Sequence, residues 1–154
     1  MLMKGSLHTD ELMRSVTAKA TGLRTERRIS HVFVMDVPAY SETFFNTDAA
    51  INIFPDLDGK RDIVHNAIDL YTQIGIGTSP RVAILSAVET VTSKIPSTIE
   101  AAVRCKMADR GQIMGGLLDG PLAFDNAIDT ESARIKGIRS EVAGRAQLTG
   151  SAGS

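Results

Sequence analysis

The sequence has 154 residues, of which 43% are hydrophobic and 23% charged, and this composition excludes wholesale disorder and a collagen-like or coiled-coil rod. Its 17 lysines and arginines nearly balance its 18 aspartates and glutamates, so the net charge of −1 points to neither nucleic acid nor a membrane surface. Apolar runs such as Val32–Met35 are far shorter than the roughly 20 residues of a membrane helix. With no signal-peptide pattern and one cysteine, Cys105, we expect a cytoplasmic protein.

The first half of the chain predicts two helices and two strands. In chain order they are a helix over 9–21, strands over 29–37 and 43–53, and a helix over 60–74. Thr9 is placed to cap the first helix and Gly22 to end it. The strand over 29–37 is nearly continuously apolar at its centre, which is typical of a strand buried on both faces. The apolar face of the helix over 60–74 consists of Val64, Ala67, Ile68, Tyr71 and Ile74.

The second half predicts the same alternation. Its elements are a strand over 81–87, a helix from Pro96 to Gly111, a strand over 112–118 and a helix over 122–129. Ser97 and Glu100 have the spacing of a capping box. The buried stripe of that helix is expected to be Ile99, Val103 and Met107.

Strands that alternate with amphipathic helices predict an α/β fold with a mostly parallel sheet flanked by helices. The turn chemistry of Asp119-Gly120-Pro121 places a turn after the strand over 112–118. The small, polar residues 147–154 are typical of a disordered tail.

Several residue types that often carry chemistry are better interpreted as structural. Gly75-Ile76-Gly77 follows a helix, whereas a dinucleotide-binding loop follows a strand, so we interpret it as a helix end. The spacing of His8, His31 and His65 does not match a metal site. Cys105 lies in mid-helix, where a buried thiol is favoured over an activated thiolate.

Three segments are stronger candidates for a functional site. Ser86–Thr90 and Asp119–Asp125 follow predicted strands, and ligands of open α/β sheets bind at the carboxyl ends of strands. Loop and cap structure explains both segments equally well. Lys4–Thr9 opens the first helix, whose amides could receive a phosphate with Arg14 as a charged fork, although a plain capped helix is the simpler interpretation.

Together the motifs resemble those of the phosphate acetyl/butyryltransferase family. They occur in the family's order and with similar spacing across residues 1–146. The set comprises Leu2-Met3-Lys4-Gly5 with His8-Thr9 and Arg14, Leu23-Arg24-Thr25, Ser30-His31-Val32, Pro96-Ser97-Thr98, Lys106-Met107-Ala108-Asp109-Arg110-Gly111-Gln112, Asp119-Gly120-Pro121-Leu122-Ala123, and Glu141-Val142-Ala143-Gly144-Arg145-Ala146.

The resemblance implies an acyltransferase that interconverts acyl-CoA plus phosphate with acyl phosphate plus CoA, for an acetyl, butyryl or similar group. It also implies an isocitrate/isopropylmalate dehydrogenase-like fold and a homodimer. CoA and phosphate would be substrates, and no cofactor would be tightly bound. A direct attack at a carbonyl requires the reactants to be held together and an oxyanion to be stabilised.

The resemblance also implies positions for the substrate-binding residues, although it assigns no general base. Residues 1–25 would form the end of a first domain, 26–146 an incomplete second domain, and 147–154 a tail. The implied phosphate- or substrate-binding residues are Ser6, Thr9, Arg14, Ser86, Glu89, Pro96, Ser97, Asp119 and Gly120.

The family pattern extends beyond the residues matched here. A full member is about twice as long, and its C-terminal Ser-Arg pair and nearby Asp find no counterpart. We therefore expect a truncated member with impaired activity, or alternatively a non-catalytic fragment that dimerises or binds a ligand weakly. A decarboxylating dehydrogenase of the same fold would need metal-binding aspartates and a nicotinamide site, and no such constellation is evident.

Overall fold

One five-stranded sheet with helices on both faces organises the chain. The computed structural model describes residues 5–48 and 51–151. The elements are α1 (Thr9–Val16), β1 (Val32–Met35), β2 (Phe44–Thr47), α2 (Leu57–Gln73), β3 (Arg81–Leu85), α3 (Pro96–Asp109), β4 (Leu117–Leu122), α4 (Phe124–Ile128), α5 (Thr130–Ile135) and β5 (Leu148–Ser151). Residues 2–4 of the first motif, 49–50 of the second predicted strand and 152–154 of the tail lie outside the described residues.

The strand order is β1-β2-β5-β3-β4. β1 is antiparallel to β2, whereas the β2–β5, β5–β3 and β3–β4 pairs are all parallel. The predicted α/β fold with a mostly parallel sheet is thus confirmed. The four parallel strands end at Thr47, Leu85, Leu122 and Ser151, and we call this side of the sheet the carboxyl edge.

Alternating residues of β3 face two separate cores. Val82 and Ile84 pack in one core with buried side chains of α2 and α3. Ala83 faces the opposite core, which contains residues of α4 and α5. This period of two is the geometry of a strand buried on both faces. Within the described residues, no helix is long and apolar enough to cross a membrane.

The helix predicted over 60–74 is confirmed as α2. It begins earlier, at Leu57, because the Asp56 side chain caps it by accepting a 2.8 Å hydrogen bond from the Gly59 amide. Four of the five predicted apolar positions are buried, and Ile74 lies just past the helix end and is 48% exposed. Gly75 has a φ of +80°, which confirms that this glycine ends the helix.

The first predicted helix and strand differ from α1 and β1. α1 ends at Val16 rather than 21, and no residue of it is buried, so little tertiary packing supports a longer helix. Its N-cap is His8, so the prediction that Thr9 caps it is wrong. β1 is an outer strand in which Phe33 and Val34 are 46% and 48% exposed, so the predicted burial on both faces is wrong.

α3 starts at Pro96 as predicted, but its details differ. The capping box is wrong, because Ile95 is the N-cap and no side chain caps the helix. The buried face consists of Thr98, Ala101, Arg104 and Met107. Ile99 and Val103 are 42% and 37% exposed, so only Met107 of the predicted stripe is buried.

β4 occupies Leu117–Leu122 instead of 112–118, and Asp119-Gly120-Pro121 lies inside it. The predicted turn is therefore wrong. An outer strand tolerates proline, which cannot donate to a sheet ladder, and within the described residues β4 pairs with β3 alone. The predicted helix over 122–129 is shorter, and a further helix, α5, follows after Asp129 caps it through the Ser132 amide.

The prediction of a disordered tail is wrong for residues 148–151. They form β5, which pairs with β2 on one side and β3 on the other. Leu148 and Thr149 have no exposed surface. Composition predicts disorder there because it carries no information about pairing with distant strands.

Candidate functional site

Two serines meet at the carboxyl edge. Ser86 directly follows β3, and its amide donates a 2.9 Å hydrogen bond to the Leu122 carbonyl at the end of β4. Ser97 lies in the first turn of α3. Their hydroxyl oxygens are 2.8 Å apart, and either can be the donor. This contact, here called the serine pair, joins two residues that the sequence placed at the site.

A cluster of charged and amide groups also lies after β3 and β4. Glu89 Oε2 is 3.6 Å from Lys136 Nζ and accepts a 3.5 Å hydrogen bond from Asn126 Nδ2. Lys136 also lies 3.7 Å from Asp125. Asn126 is fully buried, and its Oδ1 has no hydrogen-bond partner among the described residues.

Sequence reasoning identified Glu89 but missed Asn126 and Lys136. The available signal for Asn126 was its place directly after Asp119–Asp125, a segment that the sequence already singled out. Lys136 follows α5, which was not predicted, so its approach to Glu89 could not be foreseen.

Pro96 and the start of α3 complete this part of the site. Proline at the first helical position loses no intrahelical hydrogen bond and helps set the start of the helix. The positive end of the α3 dipole therefore lies beside Ser97, where it favours negative charge on a ligand.

Asp119 and Gly120 are not at the strand end where the sequence placed them. They lie inside β4, and Asp119 Oδ1 accepts a 2.8 Å hydrogen bond from the Gly120 amide. A β-carbon at position 120 would lie 2.9 Å from the β-carbon of Ile84, so Gly120 lets β4 lie close to β3. These observations give the two residues a structural explanation.

Cys105 packs beside β4 with its sulfur 3.7 Å from the Gly120 carbonyl oxygen. Burial and, to a smaller extent, the nearby Asp119 carboxylate together raise the pKa of its thiol to about 12. The thiol is therefore protonated at neutral pH, in agreement with the interpretation of Cys105 as a buried thiol.

Ser6, Thr9 and Arg14 belong to the first part of the chain, around α1. All three are exposed, Ser6 before α1 and the other two on it. No hydrogen bond or ion pair in the described part of the chain links Thr9 or Arg14 to Ser86 or Ser97. The structure does not bring the two halves of the predicted site together.

A large cavity, which sequence reasoning missed, lies near the N-terminus of α2. It has a volume of about 910 Å³ and extends from the end of α1 to Asp56 and Gly59. Because α2 follows the end of β2, this cavity shares the carboxyl edge with the serine pair. Arg24 and Arg28 line it, and the available signal was three arginines within five residues, 24–28.

The histidines have structural surroundings. His65 Nε2 lies 3.2 Å from the Gln112 carbonyl, and the His31 ring packs edge-on against Phe33 at 4.4 Å. Across residues 5–48 and 51–151, no three His, Cys, Asp or Glu side chains are grouped so as to hold a metal ion.

Comparison with known proteins decides the family. The sequence model of the family described as "Phosphate acetyl/butaryl transferase" matches residues 1–149. The chain belongs to this family. The resemblance that its motifs indicate is therefore confirmed, and so is the expectation that it matches only part of a longer pattern.

The relatives of this chain include phosphate acetyltransferases and phosphate butyryltransferases. The chain is 77% identical over 148 residues to a phosphate acetyltransferase of Rhizobium meliloti, and the match covers 96% of this chain and 46% of that protein. It is 46% identical to a phosphate butyryltransferase of Clostridium acetobutylicum, with coverage of 96% and 49%. The chain thus spans about half the length of the relatives it matches.

Solved structures agree with this family assignment. A branched-chain phosphotransacylase from Enterococcus faecalis V583 superposes with a TM-score of 0.87 at 28% identity, over 97% of this chain and 52% of that one. A phosphotransacetylase from Streptococcus pyogenes gives 0.69 at 31% identity, over 82% and 37%.

Proposed function

We propose that this protein takes part in the reversible reaction of acyl-CoA with phosphate to give acyl phosphate and CoA. A phosphate oxygen attacks the thioester carbonyl, the C–S bond breaks, and the CoA sulfur leaves as a thiolate that takes up a proton. The acyl group is acetyl, butyryl or a similar short chain. The observation that carries the proposal is the serine pair beside the start of α3 at the carboxyl edge, in a chain of this family.

The serine pair can stabilise the negative charge that develops in this reaction. In a hydroxyl–hydroxyl hydrogen bond one proton lies between the oxygens, and the accepting hydroxyl keeps its own proton free to donate elsewhere. A donor held in this way beside a helix N-terminus suits an oxyanion or a phosphate oxygen. Glu89 and Pro96 would line the same surface.

Ser6, Thr9 and Arg14 belong to the proposal as a phosphate-binding turn. Residues up to 25 would be the end of a first domain that faces the second across a cleft. Asp119 and Gly120 are left out, because they lie inside β4. CoA and phosphate are then substrates, and the reaction requires no tightly bound cofactor.

The proposal includes a cytoplasmic homodimer. β1 and β4 are the outer strands of the sheet, and exposed apolar side chains on β1 include Phe33 and Val34. Unpaired outer strands and exposed apolar surface favour association with another chain. Light scattering at micromolar concentration tests this, and a clean monomer would contradict it.

The activity is tested by following CoA release from acetyl-CoA and butyryl-CoA with a thiol reagent, with and without phosphate. We expect release that requires phosphate and saturates with both substrates. Ser97→Ala should slow it by about 10²-fold, as loss of an oxyanion donor does. Ser93→Ala, in the exposed loop before α3, is the matched control. Release that is independent of phosphate, or equal to that without protein, would overturn the proposal.

A further inference from the structure

Arg104 is a buried cation with no counter-ion in the described part of the chain. Its side chain is 1% exposed and is the largest of the fully buried ones. The ion pairs formed by residues 5–48 and 51–151 do not include it. A buried charge is costly unless it is paired and hydrogen-bonded.

The guanidinium uses only part of its donor capacity. Nε lies 3.4 Å from the Glu100 carbonyl one turn earlier in α3, and Nη1 donates a 3.0 Å hydrogen bond to the Ser151 carbonyl. Nη2 is buried and has no partner among the described residues. Of the two terminal nitrogens of the guanidinium, Nη1 therefore donates a hydrogen bond and Nη2 does not.

The carboxylate of Glu100, one turn earlier on the same helix, already has a partner. Glu100 forms an ion pair with Lys60, which lies in the first turn of α2. Burial lowers the pKa of Arg104 to about 10, so the side chain remains charged at neutral pH. The Glu100 carboxylate partly offsets this burial, but it is shared with Lys60 and forms no ion pair with Arg104.

The buried fork lies next to an exposed strand end. Ser151 is the last residue of β5 and is exposed, so the guanidinium lies one layer below the carboxyl edge at the middle of the sheet. Ligands of α/β sheets bind at that edge. It is also the edge at which the serine pair lies.

We propose that Arg104 anchors an oxyanion subsite at the end of β5 that takes a phosphate group. The planar guanidinium fork matches two oxygens of a phosphate, and Nη2 supplies the unused donor. This subsite deepens the proposed function. It rests on that function only in taking phosphate to be a substrate. Binding itself is measured without turnover.

Thermal unfolding and calorimetric titration with inorganic phosphate test the subsite. Acetate at equal ionic strength distinguishes a carboxylate from a phosphate ligand, and CoA distinguishes an ester phosphate from free phosphate. The variants are Arg104→Met and Arg104→Lys, and Arg110→Met at the exposed end of the same helix is the control. Wild type and the control should bind phosphate saturably, with affinity at least about tenfold weaker in Arg104→Met and intermediate in Arg104→Lys.

A direct readout covers the case in which Arg104→Met fails to fold. The Nε–H resonance of Arg104 in the wild-type protein should shift saturably with phosphate and much less with acetate. An unmoved resonance at high millimolar phosphate, or equal phosphate affinity in a folded Arg104→Met, would overturn the subsite. Phosphate binding that depends on Arg104 without any CoA release would instead contradict only the proposed acyl transfer.

Discussion

Gly120 lies so close to Ile84 that a β-carbon at position 120 would stand 2.7 Å from the Ile84 carbonyl oxygen. The contact joins β4 to β3 at the place where α3 packs on the sheet. Position 120 therefore has no space for any side chain, whatever its polarity.

Gly120→Ala should destabilise the fold by about 1–3 kcal/mol, since the extra methyl group forces backbone to shift in a packed region. Urea unfolding followed by circular dichroism measures the change. Gly5→Ala is the control, because a β-carbon at position 5 meets no atom within 4 Å. Equal stability of the two variants would mean that β4 does not pack on β3 as described.

Leu148→Ala tests whether the end of the chain is part of the core. Leu148 has no exposed surface and packs in the core formed with α2 and α3, so truncating it should cost about 2–5 kcal/mol. Leu23→Ala, at a position 73% exposed, should change stability by less than about 0.5 kcal/mol. If Leu148→Ala is as stable as wild type, Leu148 is not part of the core and the prediction of a disordered tail is correct.

Cys105 should react slowly with iodoacetamide. With a pKa of about 12, its thiolate fraction at mildly alkaline pH is about 10³ times below that of a free thiol, whose pKa is about 8.5. The rate should still be rising with pH where a free thiol has levelled off. Mass spectrometry of the native and urea-unfolded protein compares the two states, and equal rates would exclude the burial described.

The same pKa has a consequence for stability. Because the folded state raises it, the protonated thiol favours folding below the unfolded pKa of about 8.5, and this contribution is lost as pH rises toward 12. Cys105→Ala should therefore lose less stability than wild type as the pH is raised over that interval. Parallel pH dependences in urea unfolding would contradict this.

Arg14→Ala tests the phosphate-binding turn that the family resemblance implies. Arg14 is exposed on a helix without buried residues, so its loss should change stability by less than about 0.5 kcal/mol. Phosphate binding at this turn should weaken by about tenfold or more, since a charged hydrogen bond contributes about 1.5–3 kcal/mol, whereas the separate site at Arg104 should be unchanged. Lysine should substitute partially because it keeps the charge and loses the fork. Calorimetry with Arg139→Ala as an exposed control decides; unchanged affinity would remove Arg14 from the site.

The sequence predicted α2 well because the signals that define this helix lie within its own residues. Its apolar spacing, the glycine at its end and its length all agree, and the core uses the face that the spacing marks. The start of α3 at Pro96 and its end before Gly111 follow from the same kind of local signal.

The wrong predictions for the cap of α3 and for the turn at Pro121 have the same cause: contacts with parts of the chain outside the local sequence. Thr98 rather than Ser97 satisfies polar groups near the start of α3, because the chain from Thr92 folds back on it. Pro121 lies in a strand because that strand happens to be an outer one. No local window shows which strands lie outermost or what lies opposite a residue.

The candidate site was predicted in part. Ser86 and Glu89 follow from their places after a strand, the family resemblance adds Pro96 and Ser97, and the structure joins the two serines. Asn126 and Arg104 could not be found in this way, since the sequence does not reveal that a polar side chain is buried and only partly hydrogen-bonded.

The position of β5 in the sheet also determines when the strands can pair during folding. A ribosome delivers β1 to β4 before β5, yet β5 is the strand that separates β2 from β3. Until residue 148 emerges, the sheet consists of two pairs of strands with no partner between them, and their facing backbone groups are open to other chains. Folding should therefore be slow relative to the formation of the helices, and the nascent chain should depend on chaperones until β5 is made.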